Sequence, residues 1–326
     1  MSSNLPEFLP ESPLWEKDAA RLEMTFRGPG PSPREWAIAA ALLVVTFLST
    51  SFAGLFYIAG DIGFVEAFIA VARNPGLLIL GFPFSVPLIS ILLAHELGHF
   101  IVSRHYGMRC TPPFFIPAPI SIVGTLGAFI KIKSSFRNKR ALFDIGIAGP
   151  LAGFIFAIPA LWIGIRYSEI IPKMAPGQGE MSFGEPLLFR LIGSLTLDYS
   201  PARQDMLAHP IAMAGWVGLL ATSLNLLPIW QLDGGHIVYA IIGRTRQKTL
   251  SVVAVVALVL LSFLGWPTPS YLLFGVLLLI VGARTRFFHP PTLNDGDPLG
   301  RGRLFLGAIA LLILILSFTP VPITID

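Results

Sequence analysis

Three side chains within five residues carry the chemical content of this sequence: His95, Glu96 and His99, in the run Leu93-Ala94-His95-Glu96-Leu97-Gly98-His99. Residues four apart share one face of an α-helix, so His95 and His99 can offer their imidazoles to a single metal ion. Glu96 projects close by, placed to take a proton from a water activated by that ion, which is the chemistry of metal-assisted hydrolysis. The chain has six His and ten Glu in 326 residues. Chance alone then yields roughly 0.003 such patterns if positions are independent. The bland alternative is a pair of packed histidines. It loses because three ionisable side chains stand near the end of a long apolar run, where they are costly without a function.

Two histidines do not complete a catalytic metal site, which commonly takes three protein ligands and leaves one position open. Asp233 is the best candidate for the third. It lies in Asn225-Leu226-Leu227-Pro228-Ile229-Trp230-Gln231-Leu232-Asp233-Gly234-Gly235-His236, which interrupts a later apolar segment, beside a glycine pair expected to break the helix. A carboxylate within a membrane span needs a partner, and a dication supplies one. Its other reading is an aspartate that caps a helix. His236 is an alternative ligand. Asn225 can donate to a substrate carbonyl or an oxyanion, or serve equally as a packing amide.

The elements that must position these groups are membrane spans. The chain is 54% hydrophobic and 13% charged, with mean hydropathy +0.72, against roughly 25% charge in soluble domains. Several windows exceed the roughly 18 apolar residues that suggest a spanning helix. Cys110 is the single cysteine, which excludes an internal disulfide. The pI near 9.4 reflects Lys and Arg clustered at the ends of apolar runs, so a nucleic-acid partner is not expected.

The expected fold is an all-α polytopic membrane protein with six or seven spans and a short membrane-associated β-hairpin. Residues 1–35, with four basic and six acidic side chains and prolines at 6, 10, 13, 29, 31 and 33, read as a polar tail. That acidity argues against a cleaved signal or transit peptide. Residues 36–283 form the core. Its spans are Trp36 to Tyr57, Gly76 to Tyr106, Ala141 to Arg166, His209 to Ile242, Leu250 to Trp266 and Tyr271 to Ala283, with Asp61 to Asn74 interfacial or re-entrant. Residues 284–303 are a basic cytoplasmic loop, and 304–326 hold a last span, Leu304 to Thr319, and a tail.

The stretch from Arg104 to Arg140 carries seven Lys or Arg and no acid, which places it, and the histidine end of the second span, on the cytoplasmic side. Ser168 to Asp205, with five acids and three bases, reads as an outer loop. Between Ser121 and Lys133, β-branched residues and glycines suggest a hairpin. Ile130 and Ile132 alternate with Lys131 and Lys133, a strand apolar on one face and basic on the other. A strand edge there would hold an unwound substrate backbone, with Gly124 and Gly127 letting the two chains approach closely.

The His95-Glu96-Leu97-Gly98-His99 motif, together with Asn225-x-x-Pro228-x-x-x-x-Asp233-Gly234, resembles the site-2 protease family of intramembrane zinc metalloproteases. The resemblance covers roughly Leu77 to Gly243, including Gly149-Pro150 in the third span. It implies one Zn2+ per chain held by His95, His99 and Asp233, with Glu96 as general base and Asn225 as a substrate or transition-state contact. It also implies a transmembrane protein as substrate, cut within the lipid bilayer. Many relatives carry Asn where this chain has Gly153, and many carry PDZ or CBS domains for which no stretch here is long enough. The segment from Phe287 to Gly300 resembles the branch found in chloroplasts, cyanobacteria and other bacteria. His289, Asp295 and Asp297 in it read as loop structure first and as a second metal site only weakly. The expected location is a bacterial cell membrane, with the N-terminus and the active-site opening cytoplasmic. The rival readings are a zinc transporter and an inactive membrane scaffold.

Overall fold

In hydrocarbon every backbone donor and acceptor must be satisfied within its own segment, so the apolar windows become helices. The computed structural model describes residues 29–60, 62–173, 181–197, 203–285, 287–296 and 298–325. Most of the expected tail, part of the expected outer loop, and Asp61, Arg286 and Asp297 lie outside them.

Helix α1 (Pro33–Ala59) opens with a capping box. The Ser32 hydroxyl accepts from the Glu35 amide, and the Glu35 carboxylate accepts from the Ser32 amide, satisfying two orphan donors at once. Amphipathic α2 (Phe64–Arg73) follows, with Glu66 in its first turn and Arg73 in its last, each suited to the helix dipole. A 3-10 turn (Pro75–Gly81) leads into α3 (Phe82–His105), which carries Pro87 inside it. Then come α4 (Lys139–Arg166), α5 (Leu187–Thr196), α6 (Pro210–Leu226), α7 (Asp233–Ile242), α8 (Arg244–Leu261), α9 (Leu272–Arg284) and α10 (Arg301–Ser317).

Among the described residues, four stretches are long and apolar enough to cross a membrane: Pro33–Ile58, Pro75–His105, Lys139–Arg166 and Arg244–Gly265. Helices α5, α6 and α9 are apolar but shorter. The molecule is mostly helical and membrane-embedded. Most of α6 is buried, as a helix apolar on all sides must be at the centre of a bundle. Lipid tails are as apolar as leucine, so helices associate here by close packing rather than by exclusion from water. Helices α3 and α4 meet in this way: a Cβ on Gly98 would lie 2.5 Å from the Ala148 carbonyl oxygen.

The strands are short and pair in twos. Strand β1 (Phe114–Pro117) runs antiparallel to β2 (Thr125–Phe129), with Phe114 opposite Phe129, Phe115 opposite Ala128, and a register shift before Pro117 meets Thr125. A hairpin was expected within Ser121 to Lys133. Its first strand instead lies upstream, in the proline-rich stretch, and Ser121 to Gly124 forms the turn. Proline is tolerated there because it sits at the irregular end of the ladder. Half-buried Ile130 and Ile132 alternate with exposed Lys131 and Lys133, but the strand expected there ends at Phe129 and continues only as a single bridge from Ile132 to Cys110; Lys133 pairs with Glu35 at the start of α1.

At the opposite end, β3 (Glu169–Pro172) pairs with β5 (Gln204–Leu207), and β4 (Met181–Phe183) with β6 (Ile323–Ile325). These pairs were not foreseen, since each strand is too short to be read without its distant partner.

An ion pair fastens the C-terminal helix to α4. The Arg303 guanidinium donates to both Asp144 oxygens at 2.8 and 2.7 Å, and the Tyr106 hydroxyl donates to Asp144 at 2.5 Å. This joins α10, α4 and the end of α3, with both charged groups less than one-third exposed. Arg303→Met should therefore lower stability by about 1–3 kcal/mol, the cost of stranding a hydrogen-bonded carboxylate. Unfolding of the purified variant in detergent measures this, and an unchanged midpoint would show that the clamp contributes nothing.

Candidate metal centre

His95 and His99 sit one turn apart on α3, both buried. His99 Nδ1 is 2.7 Å from the Ile145 carbonyl oxygen. A carbonyl can only accept, so Nδ1 carries the proton and Nε2 keeps its lone pair. That lone pair faces His95 Nε2 at 3.1 Å and Asp233 Oδ2 at 3.2 Å, while His95 Nε2 lies 3.1 Å from the same Asp233 oxygen. Three potential ligand atoms thus meet in a nearly equilateral triangle, a spacing that a bound cation can occupy. A tetrahedral ion with ligand bonds of about 2.0–2.2 Å holds its donors about 3.3 Å apart, close to the spacing found. The donor set of two imidazoles and one carboxylate suits a borderline-soft dication and leaves a fourth position open.

Helix α4 makes room for this triangle. A Cβ on Gly149 would lie 2.1 Å from His99 Nε2, and one on Gly153 would lie 3.2 Å from His95 Cβ. Asp233 is the first residue of α7, preceded by Leu232 at the cap. The glycine pair after it, expected to break the helix, instead opens one. Side chains on Gly234 or Gly235 would strike the carbonyls of Leu226 and Trp230, so α7 can begin directly over the loop that precedes it.

That loop is pinned from α8. The Trp230 amide donates to Ser251 Oγ at 2.9 Å, Ser251 Oγ donates to the Pro228 carbonyl at 3.0 Å, and Gln247 donates to the Trp230 carbonyl at 3.3 Å. Gln247 and Ser251 are fully buried. Sequence reasoning passed over both, although two polar residues four apart at the start of an apolar helix are a usable signal.

The remaining expected residues divide. Glu96 is buried beside the two histidines, outside the donor triangle. Asn225, in the last turn of α6, brings Nδ2 to 3.4 Å from His95 Nε2. Gly124 packs against α1: its carbonyl accepts from Ser49 Oγ at 2.6 Å, and a Cβ would lie 2.6 Å from the Ser49 carbonyl oxygen. Gly127 has φ +97° and open space around it. His236 is no member of the triangle and bonds to His289. Asp295 bonds to Tyr239 and Thr292, and Asp297 lies outside the described residues.

The family model described as Peptidase family M50 matches residues 83–264, which span α3 to α8 and include His95, Glu96, His99, Asn225 and Asp233. The chain belongs to peptidase family M50. Among curated relatives, this M50 protein is similar to the probable chloroplastic zinc metalloprotease EGY1 of Arabidopsis thaliana, 33% identical over 73% of this chain and 43% of the relative. EGY1 of Oryza sativa subsp. japonica is 31% identical over 73% of this chain and 40% of the relative. The probable chloroplastic zinc metallopeptidase EGY3 of Arabidopsis thaliana is 27% identical over 89% of this chain and 50% of the relative. The chain thus spans half or less of the length of these relatives. No solved structure matches it.

Two substitutions test the centre of this M50 chain. Asp233→Ala should lose bound divalent metal, and retention would make His236 the first suspect for third ligand. Gly149→Ala places a methyl group where His99 Nε2 stands, so metal affinity should fall at least about tenfold, the lower range for disturbed ligand support. Metal analysis of the purified proteins reads both.

Proposed function

We propose that the chain is a zinc metalloprotease that hydrolyses peptide bonds within the transmembrane helices of other membrane proteins, as in regulated intramembrane proteolysis. The observation that carries the reading is the triangle of lone-pair donors with a buried carboxylate beside it, inside a membrane-embedded M50 bundle. His95, His99 and Asp233 would hold one zinc ion. When bound, zinc polarises a peptide carbonyl and brings the pKa of its water towards ~7.

Glu96 takes the proton from the attacking water and passes it to the leaving amine. Its place outside the triangle suits that role, because a base must not also be a ligand. The Asn225 amide stands over the same edge of the site and can donate to the carbonyl oxygen of the scissile bond. The basic residues between Arg104 and Arg140 support placing this end of the bundle, and the entry of water, on the cytoplasmic side. On this reading residues 36–283 are the protease core within seven crossings, 1–35 and 284–303 lie inside, and 304–326 return the chain outward. The relatives' names place those proteins in chloroplasts, so they lend no support to a bacterial membrane, and the placement proposed is a multi-pass membrane one.

Substrate binding by strand addition fits the hairpin. Strands β1 and β2 form a two-stranded sheet, leaving one edge of β2 unpaired, and Leu126 on it is 73% exposed. A substrate helix must unwind before its peptide bond can react, and its freed backbone groups cost several kcal/mol each in hydrocarbon unless paired.

Glu96→Gln should keep about one zinc per chain and lose proteolysis. Zinc lost with cleavage intact would sink the assignment. Proline at Ile122, Leu126 or Ile130 removes one backbone donor without changing charge. At least one of these variants should abolish cleavage at normal zinc content. If all three cleave normally, the spans alone hold the substrate.

A further inference from the structure

Residues 287–296, beyond the segment that the family model matches, lie over α7 and the start of α4. His289 is 0% exposed although it belongs to no helix or strand. Its Nδ1 is 2.6 Å from the Pro290 carbonyl, so Nδ1 carries the proton and Nε2 the lone pair. Burial pushes the imidazole down to about 4, which keeps it neutral. His236 Nδ1 then donates to His289 Nε2 at 2.6 Å. The separation is that of a hydrogen bond; two nitrogens on one ion would stand about 3.3 Å apart. Among the described residues His289 thus takes a structural role in the loop, while Asp297, the third member of the weaker metal-site reading, lies outside them.

His236 follows Asp233 by one turn of α7. On its other side, the first turn of α7 rests on α4, where a Cβ on Gly146 would lie 2.8 Å from His236 Cβ and 3.2 Å from the Asp233 carbonyl oxygen. The turn bearing Asp233 is therefore gripped between α4 and residues 287–296. The same segment holds the chain on both sides of that turn. Trp230 Nε1, before it, donates to the Phe288 carbonyl at 3.0 Å, and the Tyr239 hydroxyl, after it, donates to Asp295 at 2.9 Å. The backbone is anchored in turn to the approach to α4, with Leu293 and Asn294 amides donating to Phe136 and Arg137 carbonyls.

We propose that residues 287–296 form a strap that sets the position of Asp233 in the metal centre, and that His289 is a positioning residue acting through His236. This rests on the metal-centre reading above. Ligand orientation by surrounding hydrogen bonds typically governs 10–100-fold in metal affinity. The strap supplies that orientation from the C-terminal side of the core, where the ligand motifs themselves are silent.

The test is zinc affinity of the full chain purified in detergent, read by competition with a chromogenic chelator. His95→Ala is the control for the centre, and Trp216→Phe the control for general weakening. Trp216 bonds to the Gly184 carbonyl, among residues remote from the centre, so its loss should lower the unfolding temperature and leave affinity unchanged. His289→Leu should weaken zinc binding about 10–100-fold. His289→Gln, whose amide oxygen can accept from His236, should restore most of it. Wild-type affinity in His289→Leu overturns the proposal, as does an equal loss in the Leu and Gln variants. Should His289→Leu fail to fold, Trp230→Phe, which removes the Phe288 tether, decides in its place, and unchanged affinity there overturns the strap. If His95→Ala binds zinc as wild type does, the centre itself is misassigned. If His95→Ala loses zinc while His289→Leu keeps it, only the strap falls.

Discussion

Three lone pairs aimed at one point inside a membrane-embedded bundle are the constraint from which the rest of the structure follows. Two imidazole nitrogens and a carboxylate oxygen stand 3.1–3.2 Å apart, with a second carboxylate, Glu96, alongside and little water to screen them. Charge in such a place is stable only when paired. A dication at the centre would pair it, and the proton on His99 Nδ1, held by the Ile145 carbonyl, fixes which nitrogen of His99 remains available. The α3–α4 contact thus decides the chemistry as well as the packing.

Holding those atoms in place requires backbones to come unusually close. Helix α4 presents Gly149 and Gly153 to the histidines, and α7 begins with two glycines pressed against the preceding loop. Small residues at helix contacts are the usual route to tight association in lipid. Here the same residues also leave the volume that the ligands occupy. Where glycine cannot fix an orientation, polar side chains do so: buried Gln247 and Ser251 hold the loop ahead of Asp233, and partly exposed Arg303 holds the first turns of α4 ahead of Ile145. The candidate ligands and the loop and helix that carry them thus have hydrogen-bond partners drawn from α4, α8 and α10.

The hairpin solves a different problem at the same end of the molecule. Irregular backbone at membrane depth is tolerated only against protein or a water-filled cavity. The turn at Gly124 packs on α1, and the Cys110–Ile132 bridge continues the ladder. Among the described residues these anchors leave one edge of β2 without a strand partner, which is where an extended peptide would need to lie.

How much of this was legible in the sequence follows from the range of each interaction. The helical spacing of His95 and His99, the apolar windows, and the presence of Asp233 and Asn225 in a broken span all rest on contacts within a turn or two, and the sequence by itself determined them. The glycine pair after Asp233 was misread, because glycine breaks a helix by propensity yet starts one when a neighbouring backbone demands the space. The first strand of the hairpin was missed in its proline-rich stretch, since a strand is defined by its partner. The β3–β5 and β4–β6 pairs, the Ile145 carbonyl behind His99, the Gln247–Ser251 clasp and the His236–His289 bond join residues far apart in sequence. Many donors and acceptors could have met in those places, and only the packing of the helices decided which ones did.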